Sequence, residues 1–203
     1  MSDKQAAAPR RLASISRATR ETRVDLVLNL DGTGLAEIDS GIGFFDHMLT
    51  QLAFHGFFDL QIKAAGDLAV DLHHTVEDVG ICLGQAFSQA LGGRRDIVRY
   101  GQALAPMDES LARVALDFSG RPLCLTRGRI PAAVAGGFSG QLAVEFWRGL
   151  ANNAGLTLHI EFLYGDNDHH LLEAAFKALA RALAAAAARH GKEREHASTK
   201  GIL

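Results

Sequence analysis

The chain has 203 residues, with 21 Lys+Arg against 23 Asp+Glu and a net charge of −2. That length carries one or two domains with a sizeable core, and the near-neutral balance argues against a protein held on nucleic acid by phosphate neutralisation. Cys82 and Cys124 are too few for a disulfide framework or a Cys-rich zinc site and suit a reducing compartment. No run of about 18 apolar residues exists to span a membrane, and the first residues lack the apolar core of a signal peptide. The expectation is a cytoplasmic protein without membrane or nucleic-acid partners.

In chain order, residues 1–9 read as a disordered tail and 10–31 as extended, with polar/apolar alternation over 23–30. Asp31-Gly32-Thr33-Gly34 is a turn signal, and 35–38 is expected as the returning strand. Phe45, Met48, Leu49, Leu52 and Ala53 have helical spacing, and Gly56 stops that helix. Residues 58–64 alternate as a strand. Val76, Val79, Leu83, Phe87 and Ala90 then mark a helix over 73–91.

The second half repeats this order. Strands are expected at 112–118, at 121–126 as its partner, and at 156–162. Helices are expected at 142–150 and 169–189. A shift of 88 places Glu21 on Glu109. A shift of 98 places Leu60 on Leu158, and one of 96 places His73-His74 on His169-His170 and Glu77 on Glu173. The expected architecture is an internally duplicated α+β unit, each half a β-sheet with two helices. The first repeat is drawn at 10–100, the second at 101–190, and a C-terminal tail at 191–203.

Four of the nine histidines form two doublets, each followed by a glutamate at helical spacing: His73, His74 and Glu77, then His169, His170 and Glu173. Residues three and four apart share a helix face, so one turn presents imidazole and carboxylate together. Adjacent histidines diverge by about 100°, so each doublet is expected to serve two ions. Nitrogen and oxygen donors suit Mn²⁺, Fe²⁺, Ni²⁺ or Zn²⁺. Helix capping would explain one such motif; two copies in register argue for ligation. His47 and its repeat counterpart Glu145 are further candidate ligands among apolar neighbours. Asp78, Asp166 and Asp168 are candidates to orient the imidazoles.

The segments 17–22, 43–49, 71–78, 106–109, 167–178 and 198–203 together resemble imidazoleglycerol-phosphate dehydratases of histidine biosynthesis, over about residues 11–203. The resemblance implies a duplicated fold like domain 2 of ribosomal protein S5. It implies cages of 24 subunits with manganese at subunit contacts, two Mn²⁺ per active site. The metal ligands it implies are His47, His73, His74, Glu77, Glu145, His169, His170 and Glu173. It further implies Glu21 as the catalytic carboxylate, with Glu173 a second candidate for proton transfer. Gln51 is implied as a substrate contact, and Arg99, Arg121, Ser198 and Lys200 as phosphate contacts. The substrate would be a small phosphate ester, D-erythro-imidazole-glycerol phosphate, dehydrated to imidazole-acetol phosphate. The implied route binds both ring nitrogens to metal as an imidazolate, expels hydroxide to a diazafulvene-like intermediate, and removes the neighbouring proton. A di-metal hydrolase and a metal-storage cage are the alternatives. An RNA-binding module would need a basic face with exposed aromatics, which the charge does not support.

Overall fold

The computed structural model describes residues 10–191. The first half contains β1 (Leu12–Ala18), β2 (Thr22–Asn29), β3 (Ala36–Asp39), α1 (Gly43–Gly56), β4 (Asp59–Gly66) and α2 (His73–Leu91). The second contains β5 (Tyr100–Met107), β6 (Ser110–Asp117), β7 (Leu123–Arg127), α3 (Gly140–Ala154), β8 (Thr157–Tyr164) and α4 (Asp168–Ala187). Each half makes one four-stranded sheet, in the orders β1-β2-β4-β3 and β5-β6-β8-β7. The two orders correspond strand for strand, so the duplication is an observed property of the fold.

The expected hairpin partners are corrected. The segment after the Asp31–Gly34 turn does not return alongside β2. It forms β3, which pairs parallel with β4, and β7 likewise pairs parallel with β8. The turn instead wraps onto Asp59, whose carboxylate accepts from the backbone N–H of Thr33 and Leu35. The stretch 10–31 breaks into two antiparallel strands around Thr19–Glu21, and β5 is a strand that its glycine and proline had concealed. Of the expected tails, 1–9 and 191–203, residues 1–9 and 192–203 lie outside the described residues.

Alternation explains the layering. In β2, Val24, Leu26 and Leu28 are buried while Arg23, Asp25, Val27 and Asn29 are not, and in β6 Val114 and Leu116 mirror them. Each sheet therefore has one inward face. The helices fill the space between the two inward faces. α2 covers β1 and β2, α4 covers β5 and β6, and across the halves α1 packs on α4 and α2 on α3. The centre of that layer is aromatic, with Phe45, Phe138, Phe146, Trp147 and Phe176 in mutual ring contact. Gly80 and Gly84 let α2 and α3 approach closely. A Cβ at Gly80 would strike the Phe146 carbonyl, and one at Gly84 the Leu150 carbonyl.

Candidate active site

Topology gathers the candidate residues at one end. β3 and β4 run parallel and deliver α1 and α2 to the same end of their sheet; β7 and β8 do the same for α3 and α4. Gly80 meets Phe146 and Gly84 meets Leu150, so α2 and α3 run in the same direction. His47 meets Glu173 while His55 feels the charges of Lys177 and Arg181, so α1 and α4 do too. All four helix N-termini therefore lie toward one end of the molecule, the end that carries His47, His73, His74, His169 and His170.

Within this end, His47 Nε2 and His169 Nε2 each lie 3.2 Å from Glu173 Oε2. Among the described residues, these three form the one group of His, Cys, Asp or Glu with ligand atoms mutually within 4.8 Å. Two ligand atoms bound to one ion at about 2.1 Å lie about 3 Å apart. The donor set, two imidazoles and a carboxylate, thus fits a divalent transition ion. Burial opposes ionisation of Glu173, but hydrogen bonds from Lys177 Nζ, at 2.6 Å, and from His47 outweigh it and hold its pKa below the ordinary value. Glu173 is therefore ionised and ready to ligate.

The other ligand candidates are similarly prepared. His73 Nε2 is 3.5 Å from Glu77 Oε2. His74 Nδ1 is 3.1 Å from both carboxylate oxygens of Asp67 and 3.8 Å from Glu21 Oε2. His170 Nδ1 is 2.8 Å from Glu109 Oε2. In both doublets the second histidine is thus held through Nδ1, and His170 Nε2 lies 3.8 Å from Asp108 Oδ2. The Asp67 hydrogen bond raises the pKa of His74, and the Glu109 hydrogen bond raises that of His170. Conversely the His170 bond, with the Asn167 N–H, lowers Glu109 to about 2.

The aspartates expected to orient imidazoles do not contact them in this structure. Asp78 holds Arg17 and Thr22, Asp168 holds Arg129, and the Asp166 carbonyl accepts from Arg129. Asp67 and Glu109 hold the rings instead, and neither was singled out for that task from sequence. The shift that placed Glu21 on Glu109 was the available signal. Lys177 was missed too; its only trace is its place one turn after Glu173.

Glu145 lies on α3 with its carboxylate 2.6 Å from Arg148 Nη1, outside the compact group. Gln51 lies one turn after His47, with Oε1 3.0 Å from His55 Nε2. Arg99 and Arg121 occupy the opposite end. Arg99 pairs with Asp117 at 2.7 Å, and its N–H donates to the Ala186 carbonyl in the last turn of α4. His169 is in the first turn, roughly 25 Å away at 1.5 Å per residue. Arg121 donates to the Ser119 carbonyl beside the C-terminal end of α3. Ser198 and Lys200 lie outside the described residues.

These features define a duplicated α+β protein with a histidine–carboxylate group, spaced to hold a metal ion, at the N-terminal ends of its helices. The family model for imidazoleglycerol-phosphate dehydratase matches residues 40–183. The imidazoleglycerol-phosphate dehydratase of Azorhizobium caulinodans is 56% identical over 95% of this chain and 98% of its own. That of an Acidovorax strain is 55% identical over 96% and 93%. Among solved structures, the enzyme from Staphylococcus aureus superposes with TM-score 0.78 at 38% identity, covering 88% of this chain and 99% of that one. The Pyrococcus furiosus enzyme does so with TM-score 0.80 at 37% identity, covering 93% and 100%. The chain belongs to the imidazoleglycerol-phosphate dehydratase family, a family of hydro-lyases.

Proposed function

We propose that the chain dehydrates D-erythro-imidazole-glycerol phosphate to imidazole-acetol phosphate in histidine biosynthesis, with two Mn²⁺ per active site. The observation that carries the metal dependence is the His47, His169 and Glu173 group, whose ligand atoms are spaced for one ion. His73, His74, Glu77, His170 and Glu145 complete the proposed ligand set, and the two repeats are drawn at 10–100 and 101–190. Bound Mn²⁺ would supply Lewis acidity at the ring nitrogens, easing departure of hydroxide from the attached carbon.

The chain's own residues then handle the proton. Removal of the neighbouring C–H proton gives an enol that tautomerises to the ketone. Glu21 is the proposed base, because its side chain is 58% exposed beside His74. Glu173 is buried and held by Lys177 and the two imidazoles; that geometry suits a ligand better than a proton acceptor. Gln51 is the proposed ring-side contact, and Arg99, Arg121, Ser198 and Lys200 the proposed phosphate contacts.

The roughly 25 Å between Arg99 and His169 exceeds the length of such a substrate. With Arg99 as the proposed phosphate contact, Arg99 and the metal-holding group of one chain would serve different molecules, which supports a site assembled between subunits. The proposed assembly is a homo-oligomer of 24 chains. The test is conversion of imidazole-glycerol phosphate after chelation and after Mn²⁺ is restored. Activity lost and regained supports the reading. Two bound ions per chain without conversion would favour a hydrolase or metal store.

A further inference from the structure

The halves differ where β1 and β5 face the first turns of α2 and α4. In the first half Arg17 Nε donates to Asp78 Oδ1 at 3.0 Å, and the Thr22 hydroxyl donates to Asp78 Oδ2. Asp78 is 8% exposed. At the corresponding positions of the second half stand Ala105 and Ala174, both buried. Their backbone registers match: Arg17 faces Val24, and Ala105 faces Ala112. The same fold is thus satisfied there by two methyl groups. Asp78 is buried while the Arg17 side chain stays 37% exposed, so placing the carboxylate there brings desolvation cost without clear gain in stability where a small apolar pair suffices.

What differs with it is the carboxylate on the adjoining turn. Glu109, in the half without the ion pair, is spent on fixed acceptor bonds from His170, the Asn167 N–H and the Ser110 hydroxyl. Among the described residues, Glu21, in the half with it, has as its ion-pair candidate the His74 imidazole, 3.8 Å away. Its backbone is nonetheless tightly held. The Glu21 and Thr22 N–H groups donate to Thr19 Oγ1 at 3.1 and 3.0 Å, and the Glu21 carbonyl accepts from the Asp67 N–H at 3.1 Å. Arg17 and Thr22 flank this turn. Asp78 joins both to the helical turn that carries His74 and Glu77.

We propose that Asp78, with Arg17, is a positioning residue: it fixes the turn bearing Glu21 against the metal-binding turn of α2, so that the Glu21 carboxylate needs no anchoring bond of its own. This rests on the reading of Glu21 as the base. A base free of fixed partners keeps its lone pairs for the substrate, and a misplacement of about 1 Å at such a group costs on the order of 100-fold in rate.

The test transplants the second half's solution by Arg17→Ala with Asp78→Ala, a pair the fold already tolerates. The Mn²⁺-loaded full chain is assayed with imidazole-glycerol phosphate. The expected result is a kcat lower by about 10- to 100-fold, KM within about twofold, and parental Mn²⁺ content. Added to Glu21→Gln, the pair should cause no further loss, because a residue acting through Glu21 is silent without it. Amide hydrogen exchange gives a readout independent of turnover. Glu21 and Thr22 amides should exchange at least about tenfold faster, with those of residues 81–91 unchanged. A kcat within about twofold of the parent, a loss additive with Glu21→Gln, or unchanged exchange at Glu21 and Thr22 would each overturn the proposal. Glu21→Gln with parental turnover would instead overturn the assignment of the base, whatever Asp78 does.

Discussion

Single side chains at the active end have separable jobs, and substitution should separate them. Glu21→Gln is expected to keep metal and assembly while turnover falls by at least about 100-fold, measured as kcat beside metal content. His169→Ala removes one of three converging donors and should lower bound Mn²⁺ by about one ion per chain. Full metal content there would remove it from the ligand set. Away from the site, Asp59 gathers the Thr33 and Leu35 N–H groups and Asn29 Nδ2, and the bond from the Thr33 N–H leads in holding its pKa below 3.8. Its folded-state pKa is depressed, so its contribution is present above about pH 4 and is lost as pH falls through the folded value. Asp59→Ala should therefore destabilise the fold more at pH 7 than at pH 3, read from denaturant melts at the two pH values.

At the scale of elements, helices were the more legible. Apolar spacing marked α2 at its observed bounds, and both His-x-x-Glu patterns fell at helix starts. Strand pairing was not legible for β3 and β7. Alternation shows which face is buried but not which neighbour supplies the hydrogen bonds, and the turn after β2 mimics a hairpin while Asp59 draws it aside. The ring-holding partners were hidden for a similar reason. Asp67 and Glu109 reach His74 and His170 through tertiary structure, and no local spacing announces them. Helix packing gives a contrast in glycines. Gly80→Val would drive a branched side chain into the Phe146 carbonyl and should cost about 2–3 kcal/mol. Gly43→Ala meets nothing within 4 Å and should leave the melting midpoint near parental or slightly raised.

Across the whole molecule, the two ends carry complementary chemistry. Imidazoles and carboxylates sit at the helix N-termini, and Arg99 and Arg121 at the far end. On the proposed reading, a substrate with a ring at one end and a phosphate at the other would draw on both, from neighbouring chains. Chelation is expected to shift the assembly toward smaller species in sedimentation velocity, with Mn²⁺ restoring the larger one. An unchanged profile would place the metals away from the subunit contacts.

The crossed packing of the helices also speaks to descent. α1 rests chiefly on α4 and α3 on α2, so each half leaves much of its first helix to be covered by the other. An ancestral gene of half this length would have encoded an obligate pair, two identical chains clasping each other through that helix layer. While the copies were identical, any change at one lip of the catalytic end was forced on the other. Fusion into one chain broke that constraint. It left Arg17 and Asp78 in one copy where Ala105 and Ala174 stand in the other, and Glu21 and Glu109 with different partners.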